Sequence, residues 1–199
     1  MKAFRRIGLL AVVALLATTA AATSAQAVSI NPDNTSVSGL SNNSSLTYGV
    51  AFATCDTATA DGTINHAAWG SDRISDLALT FTGNCAIAGV GPATVDCVGD
   101  VTLIADPAAD DFGTVELNEG FQCDVTTAVC TVTVAGPQTT DPRNTFLDEA
   151  SQVLSANVEV QASRTGSLLC GPESGPGSFT ADYAITNNTN PSEPITIDP

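Results

Sequence analysis

The residues with the most chemistry to offer are six cysteines: Cys55, Cys85, Cys97, Cys123, Cys130 and Cys170. Thiols that ligate zinc or run redox exchange come in close pairs such as C-x-x-C, often beside histidines. No such pair occurs here, and His66 is the one histidine. An even count in an exported chain reads instead as three structural disulfides. Turn symmetry suggests the pairing. The run CDVTTAVC centres on Thr126 and Thr127, so a hairpin turning there sets Cys123 opposite Cys130. Gly91-Pro92 is a turn signal midway between Cys85 and Cys97. Cys55 and Cys170 then pair by elimination and would tie the two ends of the domain together.

The other candidates are acids. A glycosidase needs two carboxyl groups roughly 5–9.5 Å apart, and Glu116, Glu119, Glu149 and Glu159 are available by type. Sugar clefts also present aromatic platforms, whereas this chain has one tryptophan and two tyrosines. Trp69 reads more naturally as core, or as packing against a disulfide. Asp106, Asp110 and Asp111 place three carboxylates in one loop after a strand. Hard cations take several such oxygens, so calcium is the small partner this loop would accept; without EF-hand spacing, a solvated acidic loop is the plainer reading. No other cofactor is implied. His66 is followed closely by Ser71 and Asp72, but a catalytic triad is assembled in space, not from sequence neighbours. With no G-x-S-x-G elbow, His66 is expected at the surface, and no residue is assigned a catalytic role. Asn34, Asn42, Asn43 and Asn187 lie in N-x-S/T sequons and serve as surface markers.

The whole chain frames these residues. Residues 1–27 carry Lys2, Arg5 and Arg6, then an apolar run, then Ala25-Gln26-Ala27. That is the n-region, h-region and cleavage site of a secretory signal, and its apolar run is too short to span a bilayer. Residues 28–199 then form a single secreted domain with no further apolar span. They hold three arginines, no lysine and 21 carboxylates, a net charge of −18. Nucleic acid is excluded as a partner, because phosphate contacts need Lys and Arg. Hydrophobic residues make up 43% of the sequence, enough for a core, so the charge does not imply disorder.

Strict alternation sets the fold class. Leu154, Ala156, Val158, Val160 and Ala162 alternate with polar residues, as do Phe179, Ala181, Tyr183 and Ile185. Leu46, Tyr48, Val50 and Phe52 do the same. Period two with one apolar face marks half-buried strands. Further strands are expected at 74–82, 93–98, 101–105, 113–118, 120–125, 129–135 and 195–197. Gly99-Asp100 reads as a hairpin and Asp61-Gly62 as a turn. Segments 31–45 and 171–177 read as polar or Gly/Pro loops. A short helix is expected only at 145–151. The whole reads as an all-β, antiparallel sandwich or barrel stapled by disulfides.

The leader, the stretch VSINPDNTSVSG, the threonine-rich strands and the close FTADYAIT…PITI resemble a group of uncharacterised secreted β-proteins of high-GC Gram-positive bacteria. That resemblance implies an exported β-fold and no assigned activity. CDVTTAVCTV is similar to the short disulfide hairpin of neocarzinostatin-like chromophore-binding apoproteins, which implies a small-ligand carrier. The functional expectation is a secreted, non-enzymatic, monomeric module, extracellular or envelope-associated, with an unidentified extracellular partner. The alternatives are a carboxylate-dependent hydrolase and a carrier. Two facing acids in a cavity would mark the hydrolase, and an open apolar cleft the carrier.

Overall fold

The computed structural model describes residues 29–64, 73–106, 109 and 111–198. The leader, His66, Trp69, Ser71, Asp72 and Asp110 lie outside the described residues. The fold is a closed antiparallel barrel of eight staves that follow one another in chain order. The first stave is β2 (Thr35–Ser41) continued by β3 (Ser45–Tyr48), the second β4 (Ala51–Ile64), and the third β5 (Arg73–Ile87). The fourth is β6 (Gly91–Val98) with β7 (Asp100–Ala105), and the fifth β8 (Phe112–Leu117) with β9 (Gln122–Thr127). The sixth contains β10 (Cys130–Ala135), β11 (Gln138–Thr139) and β12 (Thr145–Asp148). The last two are β13 (Val153–Gly166) and β14 (Ser174–Asn187). β14 pairs back onto both β2 and β3, which closes the ring.

The alternating residues of β13 and β14 behave as their sequence predicts. Leu154 stands opposite Tyr183, Ala156 opposite Ala181 and Val158 opposite Phe179, so all six share the inner face. Val158, Val160, Ala162, Ala181 and Tyr183 are buried, while Asn157, Glu159 and Gln161 are exposed. Burying each Val or Leu side chain contributes roughly 1.5–3 kcal/mol. One end of the barrel is covered by a small ladder of β1 (Ser29–Asn31) and β15 (Thr196–Asp198). There Ile30, Ile64, Ile195 and Ile197 are buried together. The other end is plugged by Tyr48, Ile87, Val132 and Cys170. The Tyr48 hydroxyl lies 3.0 Å from the carbonyl oxygens of both Ala162 and Pro172. Gly171, at φ +108°, presses on the Tyr48 ring, where a Cβ would come within 2.6 Å of Cδ1.

Several local expectations are corrected. Segment 145–151 is not helical: its first half is β12, and Asp148 caps the turn that follows by accepting from the Ala150 amide and the Ser151 hydroxyl. Among the described residues, the one helical element is a short 3-10 turn at Leu168–Cys170. The alternation from Leu46 to Phe52 hides a hairpin. Gly49, at φ +60°, turns the chain so that Tyr48 faces Ala51, leaving Val50 and Phe52 exposed. Gly99-Asp100 is not a hairpin but a break between two collinear segments, both antiparallel to β5. Asp61-Gly62 lies within β4. Segment 31–45 contains β2, and 174–177 begins β14. Asn187 is buried and caps its own turn, its side-chain oxygen accepting from the Thr189 and Asn190 amides.

All six cysteines are bridged, but in another pattern: Cys55–Cys85, Cys97–Cys123 and Cys130–Cys170. The expected Cys85–Cys97, Cys123–Cys130 and Cys55–Cys170 pairs all fail, because both turns lie about two residues from where symmetry put them. The first centres on Gly89, at φ +75°, so Cys85 faces Ala93 across the hairpin and Cys55 on its other side. The second is closed by the Thr127 hydroxyl, which accepts from the Val129 and Cys130 amides. Cys123 is thereby set opposite Val134 on one side and Cys97 on the other. Cys130 is left at a strand end, beside Cys170 on the 3-10 turn. Peptide mapping under non-reducing conditions will recover these three linkages. Replacing Cys130 and Cys170 together with serine will cost about 2–4 kcal/mol in a denaturant titration.

Candidate functional site

A ring of eight strands encloses room for side chains alone or for one small ligand. Here the interior is not filled. A cavity of about 120 Å³ runs along the barrel axis. Its walls are inward residues of nearly every stave, among them Leu77, Leu103, Val125, Leu154, Val158 and Phe179. Space is left because many inward positions carry small side chains: Ala53, Ala60 and Ala156 line the cavity, and Ala58 and Ala181 sit in the adjoining cluster. Phe81 and Phe179 meet edge to face, with ring centroids 6.0 Å apart. Gly39 faces the same region, where an added Cβ would lie 3.0 Å from Ile185 and 3.1 Å from Tyr183.

Three buried polar atoms lie in the barrel wall behind this lining, whose own surface is apolar. Ser44 Oγ, Thr145 Oγ1 and Tyr183 OH are buried and have no hydrogen-bond partner among the described residues, and all three residues line the cavity. Their residues are 3%, 2% and 4% exposed, so solvent does not serve them. Burial pushes the Tyr183 phenol well above its ordinary pKa, and it stays a neutral O–H donor. A buried polar group without a partner is uncommon and costly, and these three sit in the wall, off the cavity surface.

The cavity meets the barrel wall at Ser44, Ser45 and Thr54, where the first stave is broken between β2 and β3. The ladder from β14 jumps there from Thr180–Ser45 to Ala184–Leu40. Side chains bridge the gap. Asn43 Nδ2 donates to Asp182 Oδ2 at 2.7 Å, and the Asp182 amide donates to Asn43 Oδ1 at 2.9 Å. Ser155 Oγ donates to Asp182 Oδ1 at 2.6 Å. These bonds, first from Ser155 and then from Asn43, hold the Asp182 carboxyl below its ordinary pKa. Asp148 is lowered likewise by Ser151 and Ala150.

The sequence-nominated acids are elsewhere. Glu116 is on β8, and Glu119 follows in the break before β9, not across a hairpin. Glu149 accepts from the Ile197 amide and so anchors the end ladder. Glu159 is exposed on β13. None of the four lines the cavity. Asp106 is paired with Arg143, and Asp111 sits at φ +67° with its carbonyl accepting from the Leu147 amide. Among the described residues, no three His, Cys, Asp or Glu side chains cluster as metal ligands. Tyr183 was readable as an inward residue, but nothing in the sequence distinguished its hydroxyl. No protein-family model, curated protein or solved structure matches this chain.

Two expectations follow. Tyr183→Phe removes a buried hydroxyl that has no partner, so the free protein gains about 1 kcal/mol in urea unfolding; a loss of that size would mean the hydroxyl is satisfied. Asp182, lowered on folding, contributes stability that is complete above the unfolded value of about 3.9 and is lost as pH falls through the folded value. Melting temperature will therefore fall below about pH 4. In Asp182→Asn it will be lower near neutrality and decline less steeply in acid.

Proposed function

We propose that this chain is an exported, non-enzymatic barrel that holds one small apolar molecule in its interior. The observation that carries the reading is a closed ring whose inner face is apolar yet leaves a connected space of about 120 Å³. An apolar cavity of roughly 150 Å³ is enough to stay dry and take up benzene, so this one suits a single ring or a short chain. The lining contains no carboxylate, which favours a carrier over a hydrolase built on paired acids. The outer face supports life in water, with Ser155, Asn157, Glu159 and Gln161 pointing out along β13. A transmembrane barrel reverses that arrangement. Among the described residues, no helix is long and apolar enough to cross a membrane. Three disulfides fit an oxidising compartment and a rigid container.

Benzene tests the reading. A ligand that binds only the native state raises its stability by mass action. At roughly ten times Kd the melting temperature should rise by about 3–5 °C. Ala156→Leu grows a side chain into the cavity and should abolish that rise while leaving the fold intact. No rise in the wild type, or an equal rise in the variant, would refute interior binding.

A further inference from the structure

We infer that the plugged end of the barrel docks on a lipid surface of zwitterionic headgroups, with Val50, Val129, Leu168 and Leu169 entering the edge of the hydrocarbon. This docking does not depend on what fills the interior. Four connections cross that end: 49–50, 88–90, 128–129 and 167–173. Three of them touch. A Cβ on Gly49 would press on Pro172, and the Ser167 amide donates to the Val129 carbonyl at 3.0 Å. Among the described residues, the three most exposed large apolar side chains stand here: Val50 at 87%, Leu168 at 77% and Leu169 at 64%, with Val129 also exposed. Single apolar residues on a surface are ordinary, but several gathered at one end mark an interaction face. The local structure holds them out. Leu168–Cys170 is a 3-10 turn in which the Ser167 hydroxyl accepts from the Leu169 amide at 3.3 Å, and the bridge to Cys130 fixes it. Cys170 is buried while two leucines are left in water, forgoing the gain that burial would bring.

Charge and shape select the occupant. Glu173 is the one charged residue in the four connections, in a mature chain with 21 carboxylates. The covered end has Asp33, Asp106, Asp111, Glu149 and Glu193 in its own connections. Arg164, beside the plugged end, gives its guanidinium to the Gly166, Gly171 and Pro172 carbonyls, so anionic headgroups find no spare cation there. With a net charge of −18 the molecule is repelled by an anionic surface and not by a zwitterionic one. A second copy of this chain fits less well. Val50 and Leu168 stand almost clear of their neighbours on the tips of separate turns. A rigid copy would touch such side chains on one side, whereas fluid acyl chains close round them. Ser163 and Thr165, next along β13, are exposed and polar, so the tips alone enter.

Flotation with phosphatidylcholine vesicles tests this, using the mature chain with its disulfides intact. The wild type is expected to float with the vesicles at low and high NaCl alike, and less when about a third of the lipid is phosphatidylglycerol. Replacing Leu168 and Leu169 together with serine should lower the partition coefficient about 100-fold, and Val50→Ser about ten-fold. Leu40→Ser, at an exposed leucine on the side of the barrel, should leave it unchanged. These side chains are already in water, so melting temperatures should match the wild type; if the double variant melts lower, Val50→Ser, outside the 3-10 turn, carries the test. A wild type that stays with the buffer, an equal loss from Leu40→Ser, or binding that grows with phosphatidylglycerol overturns the inference. So does a dimer in sedimentation velocity that the double variant dissolves, without flotation: this end would then be an interface between copies.

Discussion

The structure depends on the pairing of the last long strand with the first. An eight-stave meander has two free edges until β14 reaches back to β2 and β3. Open edges invite pairing with other chains and leave one row of amides and carbonyls unsatisfied. Once the ring closes, every second residue of every stave faces a common interior, and the other half faces water. The weak place in that closure is the break after Ser41, where three residues of β14 have no ladder partner on the first stave. Asn43 supplies the missing backbone contact through its side chain, and Asp182 fastens it to both the first stave and β13. A pair of polar side chains thus completes a circle whose other joints are main-chain ladders.

The cavity follows from closure. Ring diameter is set by strand number and tilt, not by the side chains available to fill it. Alanine at five inward positions cannot reach the axis, and bulky neighbours such as Leu79 and Phe81 cannot collapse inward without breaking the ring. The same separation keeps the carboxylates of the described residues out of the core and at the surface, where water and salt screen their mutual repulsion. Function, on this reading, lies where the chain is least populated with chemistry.

How much of this was legible can be judged element by element. β13 and β14 were plain because long alternation with Val, Leu, Phe and Tyr on one face leaves one register open. β2 was missed because its inward residues are Thr35, Val37, Gly39 and Ser41; closure buries them although their types do not ask for burial. The disulfides were miscast by turns displaced about two residues. Thr127 closes one turn with its hydroxyl, a role that is invisible until the chain is folded. Both bridges between strands turned out to join each cysteine to the neighbour on the side away from its expected partner. The cavity could not be read at all, since it is a difference between ring size and summed side-chain volume.

The placement of the three bridges has a mechanical consequence. Cys55–Cys85, Cys97–Cys123 and Cys130–Cys170 all lie in the half of the barrel that contains β3, β6, β9 and β10. The half formed by β2, β7, β8 and β12 has no covalent tie, and its cover is a ladder of three residue pairs between β1 and β15. Local opening follows the path of fewest constraints. The molecule is therefore a cup with a covalently tied base and a cover held by hydrogen bonds and apolar packing alone. On the proposed carrier reading, the end without a disulfide is the one expected to give way first to a ligand.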